Sequence, residues 1–142
     1  QQGKVLEIRS PHAVRPWQHV VEPLWGYLML ARAMLTPGAV VAPSYNFGPF
    51  SDSNRTVKDV IERFSSLWNP KGVWSDTGTQ GNMHEATLLS LDASLAAKDL
   101  GWKPAFPLDD ALQYTAQGYQ LCVQKNDDAM LKHMQELCLR MH

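Results

Sequence analysis

The densest run of residues able to do chemistry is Arg15-Pro16-Trp17-Gln18-His19-Val20-Val21-Glu22-Pro23. A planar guanidinium at the end of an extended segment, backed by rigid aromatic rings, suits bidentate contact with a phosphate. The competing structural reading pairs Arg15 with a carboxylate and packs Trp17 and His19 into the core beside the helix that follows, the common fate of a lone histidine near an apolar face. Asp109-Asp110 is a possible acid and base pair. Its place at a predicted helix start favours a dipole-stabilising role instead. Cys122, His133, Cys138 and His142 form a loose series near the end of the chain. Zinc knuckles use short spacings joined by a loop, whereas these positions run along continuous helical pattern, so no metal is expected and the thiols are read as buried on helices. Gly78-Thr79-Gln80-Gly81 lacks the third glycine and the preceding buried strand of a dinucleotide loop. No Gly-x-Ser-x-Gly elbow, Gly-x4-Gly-Lys-Ser/Thr loop or His-Glu-x-x-His helix occurs.

These groups must be carried by regular elements. Residues 5–9 and 14–21 read as extended segments around the Ser10-Pro11 turn. Pro23 opens a helix, 24–35, that ends at Pro37-Gly38 and is apolar on nearly every face. Such a helix asks to be buried on more than one side, in a large core or against another chain. Residues 39–47 form the best strand candidate, with Pro43 marking an edge or irregular start. Thr56 caps an amphipathic helix carrying Val57, Val60, Ile61, Phe64, Leu67 and Trp68, and Val73-Trp74 is a brief strand. Asp92 caps a helix over 93–100 closed by Gly101. Two more helices follow, one from Leu108 to Cys122 and one after Asn126. The pattern predicts an α+β fold, mostly helical with a few short strands, in a single domain over 1–142.

Composition bounds the partners. The chain has 142 residues, 13 Lys+Arg against 14 Asp+Glu and five histidines, with no run of like charge. Duplex nucleic acid and anionic membranes are held by clustered Lys/Arg, so neither is expected as a partner. The longest apolar stretch is too short to span a bilayer, and two cysteines cannot staple a small secreted fold. Residues 1–4 show no secretion signal and no initiator Met. A cytoplasmic fragment of something longer is the resulting expectation. The apolar helix between Leu24 and Leu35 makes self-association a further one.

The run Ile8-Arg9-Ser10-Pro11-His12-Ala13-Val14-Arg15-Pro16-Trp17-Gln18-His19-Val20-Val21-Glu22-Pro23-Leu24-Trp25-Gly26-Tyr27-Leu28 resembles the signature stretch of the CDP-glucose 4,6-dehydratases, within the extended short-chain dehydrogenases/reductases. The resemblance continues through Tyr45-Asn46-Phe47-Gly48-Pro49, His84-Glu85-Ala86, Leu91-Asp92-Ala93-Ser94, Leu100-Gly101-Trp102-Lys103-Pro104 and Asn126-Asp127-Asp128-Ala129-Met130. Sister dehydratases carry Arg-Asp-Trp where this chain has Arg15-Pro16-Trp17.

The resemblance implies a substrate-binding half without its engine, since the family's glycine-rich NAD loop and Tyr-x-x-x-Lys pair have no counterpart here. It implies that Arg15 lies near the diphosphate of a CDP-sugar and that Asn46 helps position the same end. His84 and Glu85 fall on a loop that closes over the nucleotide in relatives, and Trp17 and His19 shape the pocket floor. Sister enzymes place an arginine shortly after the histidine, where this chain has Ala86, Thr87 and Leu88. The parent reaction is an internal redox cycle in which NAD oxidises C4 of the sugar, water leaves from C6 and hydride returns there. The expectation for this chain is weak binding of CDP or a CDP-sugar, no cofactor and no catalysis alone.

Overall fold

The computed structural model describes residues 5–68, 74–78 and 87–141. Its regular elements are β1 (Leu6–Ile8), β2 (Val14–Pro16), α1 (Val21–Leu35), β3 (Asn54–Thr56), α2 (Val57–Trp68), β4 (Trp74–Asp76), α3 (Ser94–Leu100), α4 (Leu108–Gln124) and α5 (Asp127–Leu139), with one turn of 3-10 helix at Ser51–Ser53. With 54% of the described residues helical and every strand among them three residues long, the fold is α+β and mostly helical, as the pattern predicted. β1 pairs in parallel with β4, and β2 pairs antiparallel with β3. Leu88 bridges Val14 from the other side, so β2 lies between β3 and the chain at 87–89.

Local chemistry sets most helix ends. The Thr56 hydroxyl accepts from the Asp59 amide at 3.1 Å and caps α2, while Asn126 accepts from Ala129 at 3.0 Å and caps α5. Gly101 closes α3 at φ 71°, in the left-handed region that glycine enters without steric cost. Asp92 sits one residue outside the cap position of α3 and still accepts from the Ser94 amide at 2.8 Å. α4 packs on α2 along one side and on α5 along the other.

The core is divided into three small apolar clusters. Phe106, Ala111, Leu137 and Met141 join α4 to α5; Phe47, Ala96 and Trp102 join α3 to α1; Val60, Leu108 and Leu112 join α2 to α4, with Trp17 and Phe64 against them. Gly26 lets α1 meet the Phe47 ring, because a Cβ there would stand 2.5 Å from the ring edge.

Three elements depart from the pattern. Residues 39–47 form no strand: Pro43 interrupts the segment, Tyr45 and Phe47 stack at 6.5 Å, and the Tyr45 hydroxyl accepts from the Ala42 amide and donates to Asp99. The extended segment at 14–21 stops at Pro16, because a turn at His19–Glu22 starts α1 at Val21, two residues ahead of Pro23. α1 itself is not enclosed. Only Glu22 and Gly26 are buried in it, while Leu24, Tyr27, Leu28, Met34 and Leu35 face outward, since two of the clusters touch one side of the helix and the third does not reach it.

Glu22 ties these parts together. Its carboxylate is wholly buried; Oε1 accepts from the Ala105 and Phe106 amides at 2.9 and 3.2 Å, and Oε2 accepts from the His19 amide at 2.9 Å. Its carbonyl accepts from the Trp102 indole at 3.1 Å. Burial pushes the Glu22 carboxyl above the usual carboxylate range, against the three amide bonds that lower it. The native state therefore holds this proton more tightly than the unfolded chain. The associated stability is complete below the ordinary glutamate range and is lost as pH rises through the elevated value. Glu22→Ala leaves three buried donors without an acceptor and is expected to cost about 3 kcal/mol or more. Glu22→Gln keeps the shape, costs less, and removes this part of the pH slope; urea denaturation of the three proteins across a pH series checks both statements.

Candidate functional site

The signature run is spread over three environments. Arg15 lies in β2 directly opposite Arg55 of β3, half-buried, with Nη1 donating to the Val14 carbonyl at 2.8 Å. Trp17 donates from Nε1 to the Arg55 carbonyl at 3.0 Å and faces an apolar cavity of about 340 Å³ between α2 and α4, lined also by Val60, Phe64, Leu108 and Leu112. His19 faces another groove, about 480 Å³, between the start of α1, α4 and α5. Gln18 and Thr115 border both spaces. Trp17 and His19 thus line separate cavities.

Asn46 is exposed on the loop between the packed rings of Tyr45 and Phe47. That loop is tied to the signature run by a 2.7 Å bond from the Gln18 amide to the Phe47 carbonyl. His84 and Glu85 lie outside the described residues. Thr87 and Leu89, which follow them in sequence, hold the two sides of Val14: the Val14 amide donates to Thr87 at 2.8 Å and the Leu89 amide donates to Val14 at 3.2 Å. Segments 14–19, 45–47 and 87–89 therefore converge around β2.

His19 completes a helix-start motif. Its Nδ1 accepts from the Val21 amide at 3.3 Å while Glu22 reaches back to the His19 amide, a capping box with histidine in the place of serine or threonine. The acceptor role at Nδ1 requires the proton of the neutral ring to sit on Nε2. Burial lowers the His19 pKa below its ordinary value, and the nearby His133 lowers it further. The His-x-x-Glu spacing ahead of an apolar run was the sequence signal for this motif, obscured because histidine is a rare cap.

Two other features escaped sequence reasoning. Arg55 faces Arg15 only through the strand register. Asp59 bonds Arg63 at 3.0 Å, and Arg63 reaches Asp109 on α4 at 2.6 Å, so Asp109 serves an ion pair between α2 and α4 as well as the helix start. Cys122 and Cys138 are exposed on α4 and α5, which corrects their reading as buried thiols; the apolar stripes of these helices turn Leu112 and Leu137 inward instead. Among the described residues no cluster of three or more His, Cys, Asp or Glu could hold a metal, and no helix is long and apolar enough to cross a membrane.

Neither the start of α2 nor the glycines Gly26 and Gly48 offers a dinucleotide a phosphate site. Its phosphates need free amides at a helix start and glycines that leave room for a backbone approach. The space beside Gly26 is filled by Phe47 and that beside Gly48 by Leu91, while the first amides of α2 are taken by Ala13, Pro11 and Thr56.

No protein-family model matches the chain. Over 120 residues it is 36% identical to the CDP-glucose 4,6-dehydratase of Salmonella typhimurium, an alignment covering 84% of this chain and 33% of that enzyme. This chain is similar to part of a CDP-glucose 4,6-dehydratase. The resemblance read from the signature run is borne out. The fold agrees: a UDP-glucose 4-epimerase from Stenotrophomonas maltophila, solved with NAD and formylated UDP-arabinopyranose, superposes with a TM-score of 0.66 at 16% identity, over 85% of this chain and 36% of that one. A UDP-glucuronic acid 4-epimerase from Bacillus cereus, solved with UDP-glucuronic acid and NAD, gives 0.62 at 18% identity, over 78% and 33%. The chain spans about a third of the length of these relatives.

The capping role of His19 sets a pH dependence. The folded state favours the neutral ring, so stability is present above pH 6.5 and falls as pH drops toward the lowered value, by at most about 1.4 kcal/mol per pH unit for one proton. Replacement by Asn, whose carbonyl can take the Val21 amide, is expected to flatten the profile between pH 7 and 5 in thermal melts.

Proposed function

We propose that this chain is the nucleotide-sugar-binding portion of a CDP-glucose 4,6-dehydratase-like protein, a single binding unit over 1–142 that is inactive alone. The observation that carries the reading is the 36% identity over 84% of the chain. The parent reaction converts CDP-glucose to CDP-4-dehydro-6-deoxyglucose and water. Its chemistry needs a nicotinamide held against the sugar and a tuned base, and this chain's part is to hold the nucleotide end. Arg15 meets the diphosphate with a charge-assisted fork, Asn46 orients the same end, and His84 and Glu85 contribute from the segment leading to Thr87. Trp17 and His19 support the site by fixing β2 and the start of α1. The setting is cytoplasmic, where nucleotide sugars are made.

Titration with CDP and CDP-glucose, followed by tryptophan fluorescence, is expected to give a saturable response that Arg15→Ala weakens about tenfold or more, the loss typical of a charged hydrogen bond. No response at millimolar ligand overturns the reading. Incubation with CDP-glucose and NAD is expected to give no product; turnover would contradict the assignment of a binding part alone.

A second reading draws on α1. Leu24, Tyr27, Leu28, Met34 and Leu35 form an outward apolar stripe that continues into the groove bordered by Met130 and Met134. A stripe of this kind serves self-association in a stand-alone structural module. Analytical ultracentrifugation is expected to show a dimer under that reading and a concentration-dependent shift toward monomer for Leu28→Glu; a monomer at high concentration excludes it.

A further inference from the structure

The cavity between α2 and α4 is walled by Trp17, Val60, Phe64, Leu108 and Leu112 and holds about 340 Å³. An apolar cavity of about 150 Å³ is enough to stay dry and take up benzene. The space here is roughly twice that, which suits two fused rings better than one. It opens toward the surface: Leu6 at its border is exposed and Ser65 half-buried, whereas Val60, Leu108 and Leu112 are buried. Among the described residues no charged side chain lines it. A phosphate or carboxylate would find no counter-ion there, and an unpaired charge is costly to bury. The Trp17 and Phe64 rings instead favour another aromatic ring, stacked or edge-on.

The polar groups around the cavity narrow the guest further. The Trp17 indole N–H donates to the Arg55 carbonyl at 3.0 Å and the Thr115 hydroxyl donates to the Ala111 carbonyl at 2.7 Å, so both donors are spent on backbone. Gln18 borders the cavity and donates from its amide nitrogen to the Phe47 carbonyl at 2.7 Å. That bond holds the side-chain amide in one orientation. Its oxygen, Oε1, is shut off from solvent and has no donor among the described residues. A buried acceptor in that state carries its desolvation penalty uncompensated, and a guest N–H that reaches it removes the penalty. The cavity thus combines apolar, aromatic walls with one orphan acceptor at its edge.

We propose that this cavity is a binding site for a small uncharged aromatic molecule of two fused rings with one N–H donor, its ring body among Trp17, Phe64, Leu108 and Leu112 and its N–H on Gln18 Oε1. The site is distinct from the nucleotide-sugar reading and does not rest on it, because a charge-free space has nothing to offer a diphosphate. Selection follows from the two features together. The walls reject charged molecules by desolvation, and the Gln18 oxygen prefers a ring that brings a donor over one of the same shape that brings only an acceptor.

Titration of the full chain with indole and with benzofuran, which has the same shape but an ether oxygen in place of the N–H, tests this, with the NMR signal of the Trp17 indole N–H as the readout. Indole is expected to bind saturably and about fivefold more tightly than benzofuran, the ratio one hydrogen bond supplies. Ile61→Trp, which fills the cavity from its half-buried border, is expected to weaken indole at least tenfold and to leave the melting temperature unchanged or raised. Ser65→Leu, on the same border, carries the same expectation for indole should the tryptophan variant fail to fold. Saturating CDP is expected to leave indole affinity unchanged. Equal affinity for the two probes overturns the role of Gln18 and with it the proposal, and unchanged indole affinity in a folded filling variant overturns the location. Competition by CDP makes the cavity part of the nucleotide-sugar site and overturns a distinct one. Binding of neither probe by the wild type, including the case in which a second copy of the chain fills the space, overturns the proposal and leaves the nucleotide-sugar reading intact.

Discussion

The structure depends on one buried carboxylate. Glu22 collects the amides of His19, Ala105 and Phe106, and its carbonyl takes the Trp102 indole. Four polar groups from two distant parts of the chain are thereby satisfied away from water, where each would otherwise carry a desolvation penalty. The start of α1 and the segment 102–106 are held at one point, and that segment delivers Trp102 and Phe106 to two of the three apolar clusters. Removing the carboxylate would disconnect the clusters, because no single one holds more than four buried residues.

The candidate site grows outward from this fixed point. Glu22 orders the turn that positions His19; Gln18 reaches the loop of Asn46; Trp17 pins β3; and Arg15 stands one residue farther out, facing Arg55. The aromatic and amide side chains of the signature run act as structural supports, and Arg15 is half-buried in β2 beside them.

Much of this was legible in the residue order. The Thr56 cap, the helix after Asn126, the Gly101 stop and the apolar spacing of α2, α4 and α5 appear as predicted, because each depends on residues within a turn or two of one another. Residues 39–47 misled: their β-branched and aromatic content matched a strand, but a strand needs a partner, and Tyr45 and Phe47 find stacking partners instead. The apolar surround of α1 also misled. Hydrophobicity asks for burial without saying what supplies it, and here one side of the helix is covered and the other is bare.

The sequence by itself determined the helices, the Thr56 cap, the Gly101 stop and the resemblance to CDP-glucose 4,6-dehydratases, all of which rest on short-range spacing or on residue identity in order. Only the tertiary structure decided that Glu22 is the buried junction, that Trp17 and His19 face different cavities, and that Arg55 stands opposite Arg15. The physical reason is common to all three. Glu22 meets amides more than 80 positions away, and Arg55 is set against Arg15 by strand register across 40 residues of chain. Such pairings are chosen by packing and by the need to satisfy buried polar groups, and neither leaves a periodic trace in the sequence.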